Sequence, residues 1–188
     1  MTVQQHYEQA LAEAYNFREF MELLKSYAQQ CYSVTEFGVH KGNSTWALLA
    51  GGPWKMTSYD IAIQEESGHG AFASTVEAAR EAVAGSHKEF RFICGDSAKV
   101  DIEETDLLFI DSLHTFDHLT AELTRHHKKV NRFIILHDTT TFGSIDETMI
   151  EGTLGLWPAV ERFLAEHPEW ILRERLTIHD GLTILERK

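Results

Sequence analysis

The feature that most constrains this chain is an alternation. Short runs of apolar and β-branched residues, several closed by a glycine or an acid, are separated by stretches whose apolar positions recur every three or four residues. Residues 34–39, 54–61, 89–94, 107–110 and 133–136 read as strands. Thr45 to Ala50, the set Phe72, Val76, Ala79 and Val83, and the set Phe116, Leu119, Leu123 and Val130 mark intervening helices. The runs at 107–110 and 133–136 are wholly apolar, as befits strands covered on both faces of a parallel sheet. A helix over 158–167 follows, and residues 170–177 and 182–186 close the chain around an Asp180-Gly181 hairpin signal. This order predicts an α/β three-layer sandwich with a seven-stranded, mostly parallel sheet ending in an antiparallel hairpin.

Ahead of this core, residues 3–30 carry Tyr7, Ala10, Leu11, Ala14, Phe17, Phe20, Met21 and Leu24 at helical spacing, which predicts a helical cap. A length of 188 residues with 43% hydrophobic content suits a single domain, the cap over 1–30 and the core over 34–188. The net charge of -12 repels phosphate backbones and anionic lipid, so neither nucleic acid nor a membrane is an expected partner. No apolar run reaches the roughly 20 residues of a membrane helix, and the polar start MTVQQHYEQA is unlike a secretion leader, so a cytoplasmic location is expected. Cys31 and Cys94 are too few for a disulfide framework and read as small buried residues.

Ligands of open parallel sheets bind beyond the carboxyl ends of the strands. The first strand ends in Glu36-Phe37-Gly38-Val39-His40-Lys41-Gly42-Asn43-Ser44-Thr45. Gly38 and Gly42 let the backbone turn sharply beside a ligand, His40 faces that turn, and Ser44 or Thr45 is expected to cap the next helix. Asp60 follows at about the 20-residue spacing of a ribose-binding acid, although the missing GxGxxG argues against a bound pyrophosphate. Gly95-Asp96-Ser97 adds another acid in a turn. On the last two parallel strands, Asp111 and Asp138 are expected side by side, where two carboxylates repel unless they share a proton or a cation. Magnesium or manganese would resolve the conflict, with His137 shifting the preference toward manganese or another transition metal. His114, three residues past Asp111, is expected to serve as a base with a pKa near neutral. His69, His87, His126 and His127 read as solvated residues without a role. Residues 139–155 form a loop long enough to imply function.

As a set, these motifs resemble the class I S-adenosylmethionine-dependent methyltransferases over residues 34–186. EFGVHKGNST resembles their first motif in its ExGxxxGxST form; SYD and GDS resemble their ribose-binding and adenine-contacting acids. DLLFIDSLHTFDHLTAEL followed by FIILHDT resembles a subgroup that includes macrolide sugar and rhamnosyl O-methyltransferases and cephalosporin-hydroxylase proteins. The resemblance implies a Rossmann-like sandwich in which Glu36, Gly38 and Gly42, with His40 and Ser44 on the same turn, shape the methionine end of a cofactor pocket. It further implies that Asp60 binds ribose, that Asp96 and Ser97 hold adenine, and that Asp111 borders the cofactor. Asp111 and Asp138 would hold a metal, joined here by His137, and His114 would be the base of a DxxH pattern. His137 departs from the Glu or Asp usual in metal-binding members, and Asn131 replaces a common Gly-Gly while tolerating the same left-handed turn.

The implied activity is O-methylation of a hydroxyl on a small molecule or sugar, with metal assistance. Two alternatives stay open: a non-catalytic or hydroxylase-like cofactor-binding protein of the same fold, and a nucleotide-dependent oxidoreductase, which the missing GxGxxG weakens. Phe142, Met149 and Trp157 are candidates to wall an acceptor pocket, and a second copy of the chain is a candidate partner that closes it.

Overall fold

The computed structural model describes residues 1–65 and 68–188. Two helices open the chain, α1 (Val3–Glu13) and α2 (Arg18–Ala28), followed by β1 (Ser33–Phe37), α3 (Asn43–Gly51) and β2 (Lys55–Asp60). A two-residue parallel pair, β3 (Ile63–Gln64) with β4 (Ala71–Phe72), precedes α4 (Ala73–Val83) and β5 (Glu89–Cys94). The remainder runs β6 (Thr105–Ile110), α5 (Phe116–His126), β7 (Val130–His137), α6 (Leu156–Glu166), β8 (Trp170–Leu176) and β9 (Leu182–Arg187). The expected seven-stranded sheet is present in the order β5-β2-β1-β6-β7-β9-β8, parallel except where β9 pairs with β7 and β8.

Strand alternation splits the core into two layers. Leu107, Phe109, Phe133 and Ile135 face a cluster built with α1, α2, α3 and α4, while Leu108, Ile110, Ile134 and Leu136 face one built with α5 and α6. Each such side chain contributes about 1.5–3 kcal/mol when fully buried. β1 and β6 lie adjacent although the chain visits β2 and β5 between them, so the direction of winding reverses at this pair. A crevice at such a reversal is where ligands of this architecture bind.

Several sequence expectations need correction. The stripe over 3–30 is two helices, broken at Ala14 with a 3-10 turn at Tyr15–Phe17, because both pieces pack on α3 and one straight rod could not. Val130 belongs to β7, preceded by a 3-10 turn at His127–Lys129, and Asn131 is an ordinary strand residue without positive φ. The segment read as a loop over 64–70 contributes Gln64 to β3; Glu66 and Ser67 fall outside the described residues. Cys94 is exposed because β5 is the sheet edge, whereas Cys31 is buried as expected. His126 and His127 are buried, at 0% and 3% exposure, rather than solvated.

Candidate functional site

The turn after β1 is built from the inside outward. Glu36 is fully buried, and three hydroxyls donate to its carboxyl: Ser44 at 2.7 Å, Thr45 at 2.9 Å and Ser58 of β2 at 2.6 Å. Burial pushes the Glu36 carboxyl up to about 7, against the opposing pull of those hydroxyls. Ser44 and Thr45 therefore do not cap α3; its N-cap is Gly42, and their hydroxyls are drawn to the buried acid. The turn passes so close to β6 that a Cβ on Gly38 (φ +86°) would lie 1.9 Å from the Asp111 carbonyl oxygen. Gly42 (φ +88°) is similarly confined against Thr75 of α4.

Asp60 braces the outer side of this turn. One of its oxygens accepts from the backbone N–H groups of Val39 (2.8 Å) and His40 (3.1 Å), and the other from Ile61 (2.7 Å). A carboxylate has about four acceptor sites, so roughly one stays open to a ligand hydroxyl, rather than the two a vicinal diol would use. His40 has a left-handed backbone (φ 45°), and its ring lies edge-on to Phe72, on the outside of the turn.

The turn after β5 is tied inward. Asp96 accepts from Ala98 N–H and pairs with Lys99 at 2.7 Å. Ser97 is buried, with its hydroxyl 3.0 Å from His118 Nε2, and its carbonyl 2.8 Å from His126 Nε2. His118 Nε2 also lies 3.3 Å from the fully buried Glu122, which accepts from the Ser112 hydroxyl at 2.6 Å. This chain of contacts links the Asp96 turn to the Asp111 turn through α5. Glu122 carried no signal in the sequence, where it reads as one acid on a helix.

Asp111, His114, His137 and Asp138 converge at the ends of β6 and β7. His114 Nε2 lies 2.8 Å from Asp138 and 3.4 Å from Asp111, while His137 Nδ1 lies 3.3 Å from Asp138 and 3.4 Å from Asp111. Asp138 takes a left-handed backbone (φ 59°), which turns its carboxylate toward His114. The two rings supply the countercharge that the adjacent carboxylates require. Although burial alone would raise it, Asp111 is held well below the usual carboxylate range by the His137 and His114 protons. Burial would lower both imidazoles, yet Asp111 and Asp138 raise them above their ordinary value. The expectation of a near-neutral His114 is thus corrected: two carboxylates within reach favour the imidazolium.

His114 has a third acidic partner. Glu147, in the 139–155 loop, accepts from His114 Nδ1 and from its backbone N–H, each at 2.9 Å. Phe142 of the same loop stacks on the ring at a centroid distance of 4.8 Å. Phe17 and Phe20 cover His137 edge-on, bringing the helical cap to the rim. Of the aromatic and apolar wall candidates only Phe142 meets this cluster; Met149 is exposed and Trp157 packs under Arg175.

Asp111, His114 and Asp138 offer two oxygens and a nitrogen within 4.8 Å of one another, and His137 groups with Asp138 and Asp180 in the same way. That donor set fits a divalent ion, which would compete with the imidazole protons for the same carboxylates. Gly38, Gly42 and the open face of Asp60 likewise fit a cofactor with a hydroxylated sugar.

Solved structures share this fold. An O-methyltransferase from Bacillus cereus in complex with SAH superposes with a TM-score of 0.66 at 16% identity, over 99% of this chain and 90% of that one. The chain has the class I methyltransferase fold. The O-methyltransferase TomG from Streptomyces achromogenes, involved in tomaymycin synthesis and in complex with SAM, gives 0.64 at 18% identity, over 95% and 89%. The N-methyltransferase NodS from Bradyrhizobium japonicum WM9, in complex with S-adenosyl-L-homocysteine, gives 0.63 at 15% identity, over 100% and 99%. The fold thus spans O- and N-methylating proteins. No family model matches the sequence, and no curated protein matches it significantly. No helix among the described residues is long and apolar enough to cross a membrane.

Proposed function

We propose that this protein is an S-adenosylmethionine-dependent methyltransferase acting on a hydroxyl of a small molecule or sugar, with a divalent magnesium or manganese ion assisting. The observation that carries this reading is His114, set at the reversal point of a class I methyltransferase sheet with one ring nitrogen on Glu147 and the other facing Asp138. Among these acids the ring is an imidazolium, and it becomes a general base once Asp111 and Asp138 turn to a bound cation and its Nε2 proton is released.

S-adenosylmethionine, when bound, supplies a sulfonium methyl that is already electrophilic. The turn of Gly38, His40 and Gly42 would receive its methionine end, Asp60 a ribose hydroxyl, and Asp96 with the Ser97 turn the adenine. Glu36 and Ser44 act from behind, since neither is exposed: they fix the turn rather than touch the ligand.

A neutral hydroxyl is a poor nucleophile, so the chain's own task is to orient it and take its proton. Glu147 accepts from Nδ1 and keeps that proton in place, so the neutral ring formed when Asp111 and Asp138 release the Nε2 proton to solvent presents Nε2 to the hydroxyl. Asp111 and Asp138, with His137, would hold the metal, which would lower the pKa of an adjacent hydroxyl. Phe142 shields the His114 ring from water on one face.

Calorimetry with S-adenosylmethionine and S-adenosylhomocysteine, followed by turnover on diol acceptors with magnesium, manganese or chelator, tests the proposal. Both nucleosides should bind, and His114→Ala should keep that binding while losing about 10²–10⁴-fold in rate. Failure of both to bind overturns the reading; undiminished turnover by His114→Ala removes His114 from it.

A further inference from the structure

A second cluster of ligating side chains lies at the other end of β7. His127 precedes the strand in its 3-10 turn, His167 caps the end of α6, and Glu169 begins the step into β8. The eight residues of β7, at about 3.3 Å each, put this cluster roughly 25 Å from Asp138. It therefore owes nothing to the rim.

The His127 side chain is 4% exposed, and its Nδ1 has no hydrogen-bond partner among the described residues. That atom points at a Glu169 carboxylate oxygen 3.8 Å away, and His167 Nδ1 approaches the same oxygen at 3.7 Å. Both separations exceed the 2.7–3.2 Å of an N–H···O bond. Ligands sharing a tetrahedral ion at about 2.0–2.1 Å lie about 3.3 Å apart, so small side-chain rotations bring all three onto one centre. All three ligand atoms already lie within 4.8 Å of one another. The ring is held in place independently: Arg187 donates to the His127 carbonyl at 2.5 Å, and Phe163 packs edge-on at 5.5 Å.

We propose that His127, His167 and Glu169 form a zinc site. Two imidazole nitrogens and one carboxylate oxygen are a zinc donor set, with a fourth position open to water through the half-exposed Glu169 and His167. Magnesium and calcium, which take six or more oxygen ligands, are disfavoured by the two imidazoles and the single carboxylate. The bound ion would join three chain segments, the α5–β7 turn, the end of α6 and the start of β8, and relieve an otherwise unsatisfied buried nitrogen.

The experiment titrates zinc alone into chelator-treated protein, read by calorimetry and thermal unfolding, with cobalt substituted for a visible spectrum of tetrahedral coordination. Glu169→Gln and His167→Ala alter half-exposed side chains and should fold; Asp138→Asn reports on the rim. The Asp138→Asn protein, its rim donor set broken, should bind one zinc that raises the unfolding midpoint by about 5–10 °C at 100-fold excess over Kd, and Glu169→Gln or His167→Ala added to it should weaken that binding at least about tenfold. Absence of zinc binding, binding that these two variants leave intact, or binding lost only in Asp138→Asn overturns the proposal.

Discussion

The two halves of the rim solve the same problem, a carboxyl withdrawn from water, in opposite ways. On the β1–β2 side, Glu36 is surrounded by neutral hydroxyls, and its proton affinity rises. On the β6–β7 side, Asp111 and Asp138 face imidazoles, and Asp111 is held in its charged form. Hydroxyl donors cannot deliver a countercharge, so the first arrangement fixes geometry. Imidazoles can surrender a proton or exchange a partner, so the second can do chemistry. The difference separates a scaffold from a reaction centre within one row of strand ends.

Gly38 stands at the seam between the halves, and breaking it should have the largest effect. In Gly38→Ala the new methyl meets the Asp111 carbonyl on a backbone conformation that alanine disfavours. A loss of more than about 3 kcal/mol is expected by denaturant unfolding, with S-adenosylhomocysteine binding abolished. Gly152→Ala is the control: its φ is also positive (+93°) but no atom lies within 4 Å of an added Cβ, so only the backbone cost of about 1–2 kcal/mol remains. Equal losses in the two variants would mean that the close approach of β1 to β6 contributes nothing.

Next in size is Glu147→Gln, which sharpens the reaction-centre side. Glutamine keeps an acceptor for His114 Nδ1 but removes the charge that orients the ring. A fall of about tenfold in kcat is expected, smaller than for His114→Ala, with the unfolding midpoint and cofactor Kd unchanged. A lowered midpoint with unaltered kcat would instead assign Glu147 a purely structural role in the loop.

How much of this was legible beforehand depended on the range of the interaction. Strand runs such as Leu107 to Ile110 and the hairpin pair Asp180-Gly181 carry their signal locally, so the sheet and its closing hairpin could be read directly. Asp111, His114 and Asp138 were legible because parallel strands bring their ends to one rim. Glu147 was not, since it lies 33 residues from His114, beyond α5 and β7, in a loop without a repeating pattern. The break at Ala14 was hidden because the apolar stripe keeps its phase while the chain bends to pack twice on α3. His126 and His127 were misread as solvated because charge and polarity in their neighbours Arg125, Lys128 and Lys129 suggested an exposed face. Both rings instead turn inward beneath that face.

The most direct test of the scaffold side is the pH dependence of Glu36. Its carboxyl sits near pKa 7 in the folded chain and near 4.5 when unfolded, so the folded state prefers the protonated form. That preference stabilises the protein fully below about pH 4.5 and is lost as pH rises through about 7, a difference on the order of 3 kcal/mol. Glu36→Gln mimics the protonated acid at every pH and still accepts from Ser44, Thr45 or Ser58. Relative to the parent it should be least favourable near pH 4.5 and gain steadily toward pH 8, read as the difference in unfolding free energy between the two proteins so that every other titrating group cancels. Parallel curves over that window would mean that Glu36 is already ionised among its hydroxyls. In that case the buried charge on the β1 side would equal those at Asp111 and Asp138, and the contrast between a neutral scaffold and a charged reaction centre would fail.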